Sequence, residues 1–130
     1  MQYPELERIK SKHPQLASII DKLVGYIERE AAEGHDRITP PLAAGYLKLS
    51  EAETLGLLSL LEDARIVRPI YEIVCRNTNA VLATAKDRRG IREILPIHCN
   101  LCDDEHDAED VRIELVFKLL PQAATTNAAG

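Results

Sequence analysis

The chain has no tryptophan, one phenylalanine and four tyrosines among its 130 residues. Its core must therefore be built mostly from Leu, Ile, Val and Ala, and few aromatic faces remain on which the bases of single-stranded nucleic acid would stack. Cationic excess is missing too, because the formal charge is −5. Non-specific duplex binding needs clustered Lys and Arg to displace counterions, so the global balance runs against nucleic acid. No apolar run approaches the roughly 18 residues that a membrane span requires. The opening Met1-Gln2-Tyr3-Pro4-Glu5 lacks the charged-then-apolar pattern of a signal peptide. A cytoplasmic location without a membrane partner is the expectation. In that compartment three cysteines are reduced thiols or metal ligands more often than a disulfide framework. Also absent are a phosphate-binding glycine loop, an H-E-x-x-H helix and a G-x-S-x-G elbow. No catalytic residue is assigned, and a non-enzymatic module is expected.

What is present is an ordinary hydrophobic share of 45%, arranged first with a helical period and then with a strand period. Residues 4–12 read as a short helix that ends before Pro14. A longer helix follows from about Pro14 to Glu33, with Leu16, Ile19, Ile20, Leu23, Val24 and Ile27 on one face and Gly34 as its stop signal. Thr39–Leu49 reads as the next helix, with Pro40 and Pro41 in its first turn. Ser50 with Glu53 forms a capping box that opens a third helix to about Ala64, with Ala52, Leu55, Leu58 and Leu61 inward and Leu57 and Leu60 widening the stripe. After Arg65 the period changes. Tyr71, Ile73 and Cys75 alternate with Glu72, Val74 and Arg76, Asn77-Thr78-Asn79 is turn chemistry, and Ala80–Ala85 returns as a second strand. Lys86–Gly90 reads as a polar connection. Val111, Ile113, Leu115, Phe117 and Leu119 alternate with Arg112, Glu114 and Lys118, giving the clearest strand. The expected fold class is α+β: a helical part over 1–68, an antiparallel β part with a Cys/His cluster over 69–121, and a disordered tail over 122–130.

The order helix, helix, capped helix and strand pair over residues 15–85 resembles a winged-helix domain. Ser50-Glu51-Ala52-Glu53-Thr54-Leu55 carries the likeness, together with Leu60-Leu61-Glu62-Asp63-Ala64-Arg65-Ile66-Val67. The second half resembles a degenerate zinc ribbon. Cys75-Arg76-Asn77-Thr78 stands where the first Cys pair of a ribbon would be, with Thr78 in place of the second Cys. Cys99-Asn100-Leu101-Cys102 is an intact second pair. The combination is similar to accessory modules of bacterial regulatory and defence systems. That resemblance implies a protein-interaction or adaptor module.

The strongest chemical signal is Cys99-x-x-Cys102-x-x-x-His106, with Cys75 available from the preceding hairpin. Zinc takes four tetrahedral ligands, and a C-x2-C turn brings two thiolates to one metal. With His106 as the fourth ligand the centre would be closed and structural, stapling hairpins that lack a large core. A redox use of Cys99 and Cys102 is disfavoured, because the acidic residues that follow raise thiol pKa values. A cysteine nucleophile paired with His98 or His106 has little support, since adjacent residues on a strand face opposite ways. The run Asp103-Asp104-Glu105-His106-Asp107-Ala108-Glu109-Asp110 places carboxylates where a calcium loop would, with Glu114 at its last position. Ala108 stands where such a loop needs glycine, so a solvated acidic loop that docks a basic partner is the simpler reading. Lys86, Arg88, Arg89 and Arg92 form the one basic cluster and are diluted by Asp87 and Glu93. The third helix, which a DNA-reading winged helix would present to bases, carries Glu51, Glu53, Glu62 and Asp63 and would repel phosphates. His13 and His35 read as ordinary helix-boundary residues. A partner protein is expected, with self-association through the apolar stripes of the first helices. The alternative is a dimeric winged-helix DNA-binding transcriptional regulator using Lys86–Arg92 as its wing.

Overall fold

The computed structural model describes residues 3–121, so the expected disordered tail, 122–130, lies outside the described residues. The fold is α+β and divides into two compact units, Met1–Arg68 with Phe117–Gly130, and Pro69–Val116.

The first unit is helical. It contains α1 (Pro4–Lys12), a 3-10 turn (Pro14–Leu16), α2 (Ala17–Ala32), β1 (Arg37–Ile38), α3 (Pro40–Leu47) and α4 (Glu51–Asp63). The long helix expected from Pro14 begins as a 3-10 turn, in which the Leu16 N–H donates to the His13 carbonyl at 2.8 Å. Ile20, Leu23 and Ile27 are its buried face. Gly34 stops it at φ 85. The Gly34 N–H reaches the Ala31 carbonyl (3.0 Å) and the His35 N–H reaches Glu30 (2.9 Å), the paired bonds of a Schellman stop. Prolines open α1 and α3, where a missing N–H costs no helix bond. Lys48 takes a left-handed φ of 58, which ends α3 at Leu47, short of the expected Leu49.

Ser50 caps α4 as expected. Its hydroxyl accepts from the Glu53 N–H (3.1 Å), and the Glu53 carboxylate accepts from the Ser50 N–H (3.0 Å). The inward face differs from the expected Ala52-Leu55-Leu58-Leu61 row. Thr54, Leu57, Leu58 and Leu61 are buried, whereas Ala52 is exposed and Leu55 half-buried. Thr54 tolerates burial because its hydroxyl donates to the Ser50 carbonyl one turn back, at 2.9 Å.

The second unit holds most of the strands. The chain passes into it within β2 (Val67–Cys75), continues through β3 (Val81–Ala85), α5 (Arg88–Ile94), β4 (Ile97–Cys99), β5 (Asp104–His106) and a 3-10 turn (Ala108–Asp110), and leaves within β6 (Val111–Leu119). Its strands lie in the order β6-β2-β3, with β4 and β5 forming a separate pair. The end of β6 belongs to the helical unit, where Phe117 and Lys118 pair antiparallel with Ile38 and Arg37. Ile73, Ala85, Ile91 and Val111 form a small core in the second unit, with Tyr71, Leu82 and Leu95 packed against it.

Three local expectations change here. Lys86–Gly90 is not a plain connection. The Asp87 side chain accepts from the Gly90 N–H at 2.8 Å and caps α5, so Arg88, Arg89 and Arg92 lie on a helix, with Lys86 just before it. In β2 the alternation is broken by a bulge between Ile73 and Val74, and Glu72 to Cys75 are all buried. In β6, Ile113 is exposed while Val116 and Phe117 are both buried. Neighbouring strand residues face opposite sides, so both faces are covered at that point.

Candidate metal centre

Two turns of the same design bring the thiols into place. In the first, Cys75-Arg76-Asn77-Thr78-Asn79, the Asn79 N–H donates to the Cys75 carbonyl at 2.9 Å and Asn79 has φ 60. In the second, Cys99-Asn100-Leu101-Cys102-Asp103, the Asp103 N–H donates to the Cys99 carbonyl at 2.8 Å and Asp103 has φ 54. Asn and Asp are the non-glycine residues that accept a left-handed backbone most readily. Thr78 thus occupies in the first turn the position that Cys102 occupies in the second.

The fourth position is supplied by β5. Antiparallel pairing sets Ile97 opposite His106 and Cys99 opposite Asp104. Directly paired residues share a face, so His106 lies on the side of Cys99, while His98 and Glu105 lie on the other. His98 is exposed and contacts Asp103 at 3.6 Å; the Cys99–His98 nucleophile pair does not form.

Cys75, Cys99, Cys102 and His106 offer one ligand atom each, and these atoms all lie within 4.8 Å of one another. Cys75 Sγ is 3.6 Å from Cys102 Sγ and 3.4 Å from His106 Nε2. A tetrahedron with metal–sulfur arms of about 2.3 Å and a metal–nitrogen arm of about 2.0 Å has edges of about 3.8 Å and about 3.5 Å. The two measured edges fit that figure, and the residues could hold a metal ion. Cys75 and Cys99 are fully buried and His106 is 6% exposed. Cys102 is partly buried, and the set supplies four donors.

Electrostatics agree with a ligand set. Hydrogen bonds from Thr78, with His106 adding to them, pull the Cys75 thiol down to about 6. Cys102, which donates to the Cys75 sulfur and is partly desolvated, is pushed up to about 11. His106 is raised above its ordinary value by Cys75.

The remaining candidates separate from this centre. The acidic run does not converge on a cation. Asp103, Asp104, Glu105, Asp107, Glu109 and Asp110 are exposed, and Glu114 pairs with Arg112 at 2.8 Å. Glu53 is turned back onto its own helix end. Among the described residues one further group converges, Glu30, Glu33 and His35, which the sequence reading did not single out. His35 Nδ1 contacts the Glu30 carboxylate, and its pKa is raised chiefly by that bond. His35 is well exposed, so the group is an ion pair closing the end of α2. Its sequence signal was a His one residue beyond a helix-stop glycine, with Glu in the last turn.

Among the described residues no helix is long and apolar enough to cross a membrane. No protein-family model, curated protein or solved structure matches this chain.

Proposed function

We propose that this protein is a non-enzymatic interaction module in which a structural zinc ion, held by Cys75, Cys99, Cys102 and His106, fixes an acidic surface for a cationic partner protein. The observation that carries the reading is the closed four-donor set directly beside an exposed run of carboxylates. Three thiolates and one imidazole are zinc chemistry, and four protein ligands leave no coordination position for water or substrate. The metal then supplies rigidity: it ties the turn after β2 to the β4–β5 pair in a unit whose apolar core is small. Leu101, 71% exposed, and Asp103, Asp104 and Glu105 project from the turn so fixed. An apolar tip ringed by carboxylates favours a basic protein surface and disfavours a phosphate backbone. The likeness of the sequence to accessory modules of bacterial regulatory and defence systems supports an adaptor role in a multi-component assembly, by analogy of architecture.

A second reading is favoured by one observation. Lys86, Arg88 and Arg92 are exposed on and before α5, as a dimeric DNA-binding regulator would need. The two are separated by two measurements on the same preparation. Affinity capture from the native host, comparing the wild type with an Asp104→Lys/Glu105→Lys variant of equal metal content, should yield a partner that the variant loses. Titration with random duplex at low salt should show no binding. Salt-sensitive duplex binding that disappears in Arg88→Ala/Arg92→Ala would replace the adaptor reading with the regulator.

A further inference from the structure

The three thiols of the cluster are not equally shielded. Cys75 and Cys99 are fully buried. Cys102 is half-buried, and both its neighbours in the chain, Leu101 and Asp103, are exposed. Cys102 is therefore the sulfur that a small solute reaches first. Its Sγ lies 3.6 Å from that of Cys75 in the opposite turn, so a disulfide, with its bond of about 2.05 Å, forms by a short approach of the two side chains.

The same two cysteines span the two turns. Cys75 ends β2, and Cys102 lies between β4 and β5, 27 residues further along the chain. A covalent bond between them joins the two turns that a shared ion would join. It also withdraws two of the four donors, and Cys99 with His106 alone do not make the four-donor set of a structural zinc site.

Resting on the reading of this cluster as a structural zinc centre, we infer that it is a peroxide-responsive switch, in which oxidation joins Cys102 to Cys75 and releases the ion, and reduction lets the ion return. A metal-bound thiol is deprotonated, so Cys102 meets the oxidant as a thiolate. It attacks one oxygen of hydrogen peroxide, hydroxide leaves, and a sulfenic acid forms on Cys102. The Cys75 thiolate then attacks that sulfur, the S–S bond forms, and a second hydroxide leaves. Two protons from solvent convert the hydroxides to water, and the two thiolates have supplied the two electrons that reduce one peroxide. Cys102 stands between Leu101 and Asp103, so the exchange takes place within the turn assigned to the partner.

Zinc release and disulfide mapping on the full chain test this. Zinc content is measured first; hydrogen peroxide is then added in small excess while a chromogenic chelator reports the metal released. The remaining thiols are alkylated under denaturing conditions and the peptides mapped. One zinc per chain should leave as one Cys75–Cys102 disulfide forms, with Cys99 alkylated. A thiol reductant with added zinc should restore the bound metal. Zinc that stays bound, with all three thiols unoxidised, overturns the inference and leaves the metal centre standing. A Cys99–Cys102 disulfide overturns it as well, and so does a sulfinic acid on Cys102 that the reductant does not reverse. A chain that carries no zinc before oxidant is added overturns the metal reading itself.

Discussion

At the residue scale, Thr78 occupies in the first turn the position that Cys102 occupies in the second, and His106 supplies the fourth donor atom. The two turns share their closing hydrogen bond and their left-handed residue, so a cysteine at 78 would point as Cys102 does. His106→Ala alone should lose tight metal binding. Thr78→Cys/His106→Ala should regain it as a four-thiolate centre, read by metal content and by cobalt absorption. Failure of the double variant to bind would mean that the first turn is not a ligand turn. Thr78 also sets the charge on Cys75. In metal-free protein the Cys75 thiol sits at about 6 against an ordinary 9.0. Its contribution to stability is therefore complete above about pH 9 and is lost as pH falls through about 6. His106, raised above 6.5, contributes below that value and loses its contribution as pH rises through its folded pKa. Thr78→Val removes the hydroxyl that lowers the Cys75 pKa. The variant's deficit in urea stability, measured without metal, should be greatest at alkaline pH and shrink toward pH 6. A deficit that does not vary with pH would contradict the role given to Thr78.

At the scale of elements, sequence and structure agree where a local signal is sharp. Pro4 and Lys12 bound α1, the Ser50–Glu53 box opens α4, and β6 runs from Val111 to Leu119. The first is opened by a proline, the second by a capping pair, and the third is marked by alternation of apolar and polar residues. The misreadings occur where tertiary packing outweighs local pattern. The Arg88-Arg89-Gly90 stretch looks like a turn, yet Asp87 caps it into α5 and Ile91 is buried in the small core. On α4 the expected inward Ala52 is exposed and Thr54, to which the sequence reading gave no place, is buried, because a threonine that satisfies its hydroxyl one turn back packs as an apolar residue. The bulge at Ile73/Val74 has no signature in a run that alternates in sequence. The capping box itself yields a measurable expectation. Ser50→Ala should cost about 1 kcal/mol, seen as a lower thermal midpoint with metal content unchanged. A change near zero would mean that the packing of Leu57, Leu58 and Leu61 alone holds the helix start.

At the scale of the whole molecule, the change of hydrophobic period from helical to strand after Arg65 was legible, and α4 ends at Asp63 with β2 beginning at Val67. The return of Phe117 and Lys118 to pair with β1 was not, since nothing local in Arg37–Ile38 announces a strand of two residues. The cluster itself was legible as types and spacing: Cys99 and Cys102 lie on one turn, and His106 follows at a distance that a short hairpin returns to the same face. What the spacing did not contain was the pairing of Ile97 with His106, which puts that imidazole, and not His98, beside the thiols. The core of the β unit is small, and the proposed structural ion would tie its turns together. X-ray absorption on protein purified without added metal addresses this most directly. One zinc per chain is expected, with three sulfur neighbours at about 2.3 Å and one nitrogen at about 2.0 Å. A fully folded, metal-free chain, or a zinc ion surrounded by oxygen, would contradict it.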